Sequence, residues 1–226
     1  MGITFGELEK LIRELLPESL KIKDDLYGWV GAAPPKDDYI KRIAVVVDVR
    51  KTPEDYDVVI THHKPYGKIE IPTFVVHTPL DKVQWGVSRT MAQLLELEKV
   101  ETLTESGFGH IGEYRGGPLL EVVKERFGIY PFRYHFPKPP KRVAVFPGCG
   151  FLFPEVLNAL REKGADMLIS GDLTYHSALR LRAWSIGYID IGHYSSEKPG
   201  VIRLAKKLKK LVPEGVEVDF IDWGEV

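Results

Sequence analysis

The sequence predicts an α/β protein built from two related halves around a central cleft, and three features carry that prediction. Short, near-continuous apolar runs rich in β-branched residues mark strands of a largely parallel sheet, covered on both faces. Between them lie segments whose apolar residues recur at helical spacing. The order then repeats: Lys41-Arg-Ile-Ala-Val-Val is echoed by Lys141-Arg-Val-Ala-Val-Phe, and Tyr56-Asp-Val-Val-Ile-Thr61 by Ala165-Asp-Met-Leu-Ile-Ser170. Two copies at so long a period indicate an internal duplication, not a solenoid. The halves are placed at residues 1–113 and 114–226, joined near Gly107 to Gly117, a stretch with five glycines. The pattern leaves open whether they are contiguous or exchange a C-terminal element.

Taken in order, residues 5–16 repeat apolar positions as a helix does, and Pro17 stops them. Asp25 to Gly31, followed by Ala-Ala-Pro-Pro, reads as a loop feeding the first sheet strand, Lys41 to Val49. A second strand ends at His63, and a third lies in Phe74-Val-Val-His-Thr-Pro-Leu-Asp81. A helix over 82–97 and a short strand over 100–103 complete the first half. The second half places Gly187-Tyr-Ile-Asp-Ile-Gly-His193 where the strand ending at His77 stood. A helix over 197–211 and a final strand over 216–221 follow.

Composition narrows the function. Among 226 residues, 31 Lys and Arg nearly cancel 32 Asp and Glu, so no global field draws nucleic acid or an anionic membrane. The four tryptophans are not interleaved with a basic stripe, which argues against single-strand stacking. Cys149, the single cysteine, excludes an internal disulfide and suits a reducing cytoplasm. No leader and no apolar run of membrane length is visible, so the expected location is cytoplasmic.

The chemistry concentrates at strand ends, where open α/β sheets collect ligands. His62 and His63 would face opposite ways in a regular strand, but where the strand breaks they can turn toward one cavity. An isolated His-His pair is more often one buried and one solvated residue; the rest of the chain shifts that balance. Five of the seven histidines lie at or just after a predicted strand. The first half offers His62, His63, His77 and Asp81; the second offers Asp172, His176, His193 and Glu197.

Pro79 is expected to keep His77 and Asp81 off one helical turn, leaving Asp81 to cap the next helix. Ser195 or Ser196 is expected to cap the helix carrying Glu197, where a carboxylate also complements the helix dipole. Asp172 or Thr174 is expected to cap the helix of His176. Three histidines and two carboxylates would serve two divalent ions about 3.5–4 Å apart. A single zinc would need only three or four of them. Without a thiolate cluster, Zn, Fe, Mn and Mg all remain open.

Gly107-Phe-Gly-His-Ile-Gly112 has dinucleotide-fingerprint spacing but not its strand-to-helix context, and reads as a crossover. Pro147-Gly-Cys-Gly150 could cradle a phosphate before a helix. Nothing local activates Cys149 as a nucleophile.

The motifs Ile60-Thr-His-His, His77-Thr-Pro-Leu-Asp81, Gly107-Phe-Gly-His-Ile-Gly112, Ile169-Ser-Gly-Asp-Leu-Thr-Tyr-His176 and Gly192-His-Tyr-Ser-Ser-Glu197 occur in this order along the chain. In this the sequence resembles the Nif-three-like family, the GTP cyclohydrolase I type 2 homologues, in a short form without an inserted domain. The resemblance implies two α/β domains, a dinuclear metal site between them, and a ring-shaped homohexamer. It implies His62, His63, Asp81, His193 and Glu197 as ligands, with Glu197 bridging and His77 and His176 lining the site. His110, Asp172 and the Pro147-Gly-Cys-Gly150 turn depart from the family pattern.

The function so implied is a metal-dependent hydrolase of a nucleotide or similar small polar substrate. With GTP, metal-activated water would open the imidazole ring and release formate. His176 would relay the proton and Asp172 would orient His176. The alternative is a non-catalytic metal-binding or scaffold protein forming a ring.

Overall fold

A computed structural model describes residues 2–225. The chain folds into two compact units: Met1–Gly86 with Val201–Trp223, and Val87–Gly200 with Gly224–Val226. The sequence pattern breaks the chain once, at 113, whereas the units break it after Gly86, after Gly200 and after Trp223.

The first unit opens with β1 (Ile3–Thr4) and α1 (Phe5–Leu15). Thr4 and Glu7 form a reciprocal capping box at the start of α1, and the helix buries Phe5, Leu8 and Ile12. Then come β2 (Gly28–Trp29), β3 (Tyr39–Ile40), β4 (Arg42–Val46), β5 (Val58–Thr61), β6 (Thr73–Val75) and α2 (His77–Lys82).

The second unit holds α3 (Val87–Leu94), β7 (Glu98–Thr102), β8 (His110–Glu113), α4 (Leu119–Phe127), β9 (Arg133–His135) and β10 (Arg142–Val145). It continues through α5 (Pro154–Glu162), β11 (Met167–Ser170), α6 (Tyr175–Ala183) and β12 (Gly187–Asp190). Helix α7 (His193–Leu211) carries the chain back to the first unit, where β13 (Glu217–Phe220) completes the sheet.

The first sheet runs β13-β4-β5-β6-β2, parallel except for β2. The second runs β7-β8-β10-β11-β12-β9, with β10, β11 and β12 parallel and the flanking strands antiparallel. The series β2-β4-β5-β6 thus matches β9-β10-β11-β12 in both sequence order and strand direction.

A matching device supports the duplication. Asp57 Oδ2 accepts from the Lys41 and Arg42 amides at 2.7 and 2.9 Å. Asp166 Oδ2 accepts from the Lys141 and Arg142 amides at 3.0 and 2.9 Å. In each unit an aspartate opening the second core strand ties down the start of the first. Strands β5, β11 and β12 are buried at every residue, as strands covered on both faces require.

Four sequence expectations change. The helix expected over 82–97 is α3, shorter and starting at Val87. Before it, α2 holds both His77 and Asp81, because Pro79 lies in the first turn, where its missing N–H costs nothing. Asp81 therefore lies within α2 and caps no following helix. Helix α7 begins at His193, four residues early, so Ser195 and Ser196 are helical residues and not caps. The glycine-rich segment 107–117 is no bare crossover, for it contains β8, paired with both β7 and β10. No helix among the described residues is long and apolar enough to cross a membrane.

Candidate metal centre

In the first unit, β5 ends at Thr61 and the next two residues keep partial sheet bonding. The His62 and His63 amides donate to Val46 and Val47 carbonyls at 3.1 and 3.0 Å. The Thr61 hydroxyl meets the His63 carbonyl at 3.0 Å, curling the chain. Both rings consequently gather beside His77: centroids are 4.6 Å apart for His62 and His63, 5.1 Å for His62 and His77, and 5.2 Å for His63 and His77. One ring nitrogen from each of the three falls within 4.8 Å of the other two. Asp81 reaches the same cluster, its Oδ1 3.3 Å from His62 Nε2.

Carboxylates orient two of these rings. His63 Nδ1 lies 2.9 Å from Asp48 Oδ1, and His77 Nδ1 lies 2.7 Å from Asp25 Oδ1. An ionised carboxylate only accepts, so the ring donates from Nδ1 and its Nε2 keeps a lone pair for a metal. Asp25 also accepts from the Thr78 amide at 3.1 Å and from the Thr78 hydroxyl. It thereby caps α2, whose N-cap residue Val76 supplies no side-chain bond. Burial alone would raise the Asp25 carboxyl, but the bonds from His77 and Thr78 outweigh it and hold it at about 2.

The second unit repeats the arrangement. His193 opens α7 and Glu197 lies four residues on, which sets both on one helix face. His193 Nδ1 is 2.7 Å from Asp172 Oδ2, and its Nε2 is 3.2 Å from Glu197 Oε1. Burial works to lower the His193 pKa, yet Glu197 and Asp172 raise it to about 9. Asp172 takes a left-handed backbone, φ 60°, in the turn after β11, a conformation aspartate tolerates better than most residues. Glu225 caps α7 from outside: it accepts from the Tyr194 and Ser195 amides at 3.3 and 3.1 Å and from the Ser195 hydroxyl at 2.8 Å.

These donors suit a divalent ion. Two atoms each about 2.1 Å from one ion, at tetrahedral or octahedral angles, stand about 3.0–3.4 Å apart. The His62–Asp81 and His193–Glu197 spacings, 3.3 and 3.2 Å, match such an edge. Gly148 leaves the second edge open: a Cβ there would sit 2.5 Å from Glu197 Oε1 and 2.9 Å from His193 Nε2.

The structure thus brings His62, His63, Asp81 and His77 together in one unit, and His193, Glu197 and Asp172 in the other. His77 stands among the candidate donors themselves, not merely beside them. Thr174 caps α6, placing His176 in its first turn, exposed and 5.5 Å from the Tyr175 ring. Asp172 holds His193 and not His176, because its left-handed turn directs the carboxylate toward the start of α7.

Sequence reasoning missed Asp48, Asp25 and Glu225 as the groups behind the histidines and helix ends. Asp48 follows the first core strand by two residues, as His63 follows the second, so the strand-end rule that selected His63 applied to it equally. Asp25 and Glu225 act across 52 and 30 residues and leave no local signal.

His110 starts β8 with Nδ1 3.0 Å from Ser88 Oγ. Burial first, then the nearby Arg89 charge, pushes its pKa down to about 4. The unfolded chain therefore binds the extra proton between about pH 6.5 and 4, so this histidine costs stability as pH falls through that window. The penalty is about 2 kcal/mol at pH 5. In urea unfolding, the wild type should lose about that much more than His110→Asn between about pH 7.5 and 5. Equal losses would mean that His110 is not desolvated.

A family profile described as Duf34/NIF3 (NGG1p interacting factor 3) matches residues 64–224. The GTP cyclohydrolase 1 type 2 homolog of Methanothermobacter thermautotrophicus is 28% identical over 232 residues, covering 98% of this chain and 94% of that protein. The homolog of the same name from Clostridium acetobutylicum is 28% identical over 246 residues, covering 92% and 91%. The structure titled reduced HcgD from Methanocaldococcus jannaschii superposes with a TM-score of 0.84 at 24% identity, covering 99% of each chain, which shows a shared fold. With the profile spanning most of its length, and relatives and solved structures aligned nearly end to end, the chain belongs to the Duf34/NIF3 family.

Proposed function

We propose that this protein is a metal-dependent hydrolase of a nucleotide or similar small polar substrate. His62, His63, Asp81, His193 and Glu197 hold two divalent ions, of Zn, Fe, Mn or Mg. The observation that carries this reading is the treatment of the imidazoles. Of these ligands, His63 and His193 each have Nδ1 held by a carboxylate, which is how proteins aim Nε2 at a metal, and His77, a further candidate donor, is held the same way. Bound ions would supply Lewis acidity and lower the pKa of a coordinated water. Asp172 fixes the His193 ring, and His176, exposed on α6, carries a proton to or from the substrate. The relatives' name, GTP cyclohydrolase 1 type 2 homolog, suggests GTP as the first substrate to try. We further propose a cytoplasmic homo-oligomer, a hexamer in line with the resemblance.

The test is elemental analysis of untagged protein purified without chelators, beside His63→Ala and Glu197→Ala. We expect about two divalent ions per chain. Each variant should fold and lose metal, and the wild type should release formate from GTP. Folded wild type that takes up no metal would sink the reading. Stoichiometric metal without turnover of any nucleotide would make it a metal-holding protein instead.

A further inference from the structure

We propose that Cys149 is an additional metal donor in the second unit, giving that unit a mixed sulfur, nitrogen and oxygen site. The proposal rests on the metal reading above. The Cys149 Sγ, one Asp172 carboxylate oxygen and one His193 ring nitrogen all lie within 4.8 Å of one another, which places the thiol beside the imidazole that Asp172 orients. Zinc–sulfur and zinc–nitrogen bonds of about 2.3 and 2.1 Å set such donors roughly 3.6 Å apart at a tetrahedral ion.

The cysteine does not sit on a loose loop. The Gly148 amide donates to Ser196 Oγ of α7 at 2.7 Å, and the Gly148 carbonyl accepts from the Gly171 amide at 2.8 Å. On its other side, the Gly150 amide donates to Ser170 Oγ at 2.9 Å. The residues flanking Cys149 are thus tied to the end of β11 and to the helix that carries His193 and Glu197. Gly148, left-handed at φ 63°, lets that turn approach the two ligand atoms without a Cβ between them. A donor held this way loses little freedom on binding, which is what preorganisation requires of a ligand.

Ligation replaces the thiol S–H bond with an S–metal bond and passes the proton to solvent. The softer donor favours Zn²⁺, Fe²⁺, Co²⁺ or Cd²⁺ over Mg²⁺ and Mn²⁺. The donors gathered in the first unit, among the described residues, are imidazoles and a carboxylate, so the two groups of donors differ in the ions they prefer.

Because Cys149 is the only cysteine, spectroscopy reads it without ambiguity. Reduced protein loaded anaerobically with Co²⁺ should show visible d–d bands and a near-ultraviolet thiolate-to-cobalt charge-transfer band. Cys149→Ser should keep the visible bands and lose the charge-transfer band. Its Cd²⁺ affinity should fall about 10- to 100-fold, the scale on which a supporting group at a metal site is felt, while Mn²⁺ affinity hardly moves. Visible bands without charge transfer in the wild type would overturn the thiolate and leave the imidazole–carboxylate reading standing. No cobalt bands at all would overturn both.

Discussion

Gly171→Ala should cost about 3 kcal/mol, near 10 °C in Tm for a chain of this size, and should weaken metal uptake at His193 as well. A Cβ at 171 would stand 2.5 Å from the Gly192 carbonyl carbon, 2.5 Å from the His193 nitrogen and 2.6 Å from the Gly192 oxygen. All three are backbone atoms, so no rotamer change relieves the clash, and the turn after β11 must part from the start of α7. That separation moves the residue that opens α7, and with it the imidazole. Gly117→Ala is the control, because a Cβ there meets nothing within 4 Å. The measurement is thermal unfolding of both variants, followed by Zn²⁺ titration. A Gly171 variant as stable as the Gly117 control would show that the close packing described here is absent.

The second large effect concerns Asp25, whose side chain is 9% exposed. Its folded pKa of about 2 lies below the ordinary 3.8, so the carboxylate adds stability that is fully present above pH 3.8. That contribution is lost as pH falls through about 2. The difference of nearly two units corresponds to roughly 2 kcal/mol at neutral pH. Asp25→Ala should lose at least that much at pH 7, since Thr78 and His77 lose their acceptor together. It should also weaken metal binding in the first unit, by releasing the His77 ring. Denaturant titrations across pH give the check: the gap between wild type and variant should close toward pH 2. A gap that persists at the acid end would assign the loss to packing alone.

Much of this architecture is legible in the chain because its strongest signals are local. The parallel core strands announce themselves as β-branched runs, and the Lys-Arg and Asp markers recur in both halves with their hydrogen bonds intact. The edge strands β2 and β9 escape notice because two or three residues cannot establish an alternating pattern. The start of α7 is hidden for a different reason. Its cap comes from Glu225, so Gly192 needs no capping side chain and the serines that follow imitate one. Pro79 misleads in the same manner, since a proline in a first turn and a proline that ends a helix look alike in sequence. For the candidate donors, strand-end position brought eight residues forward, and the family resemblance singled out His62, His63, Asp81, His193 and Glu197 among them. The acids that aim the rings come from elsewhere in the chain, and only folding reveals them.

The split of the first unit also bears on the order in which the protein assembles. Residues 87–200 form nearly all of the second unit and can collapse as soon as they leave the ribosome. The first sheet is different: Arg42 on β4 bonds Glu217 across a separation of 175 residues, with nearly all of the second unit threaded between them. Closing so long a loop is cheap once the intervening segment is compact and costly while it is still a coil. The second unit should therefore behave as the early-folding body, and docking of β13 onto β4 as the late step.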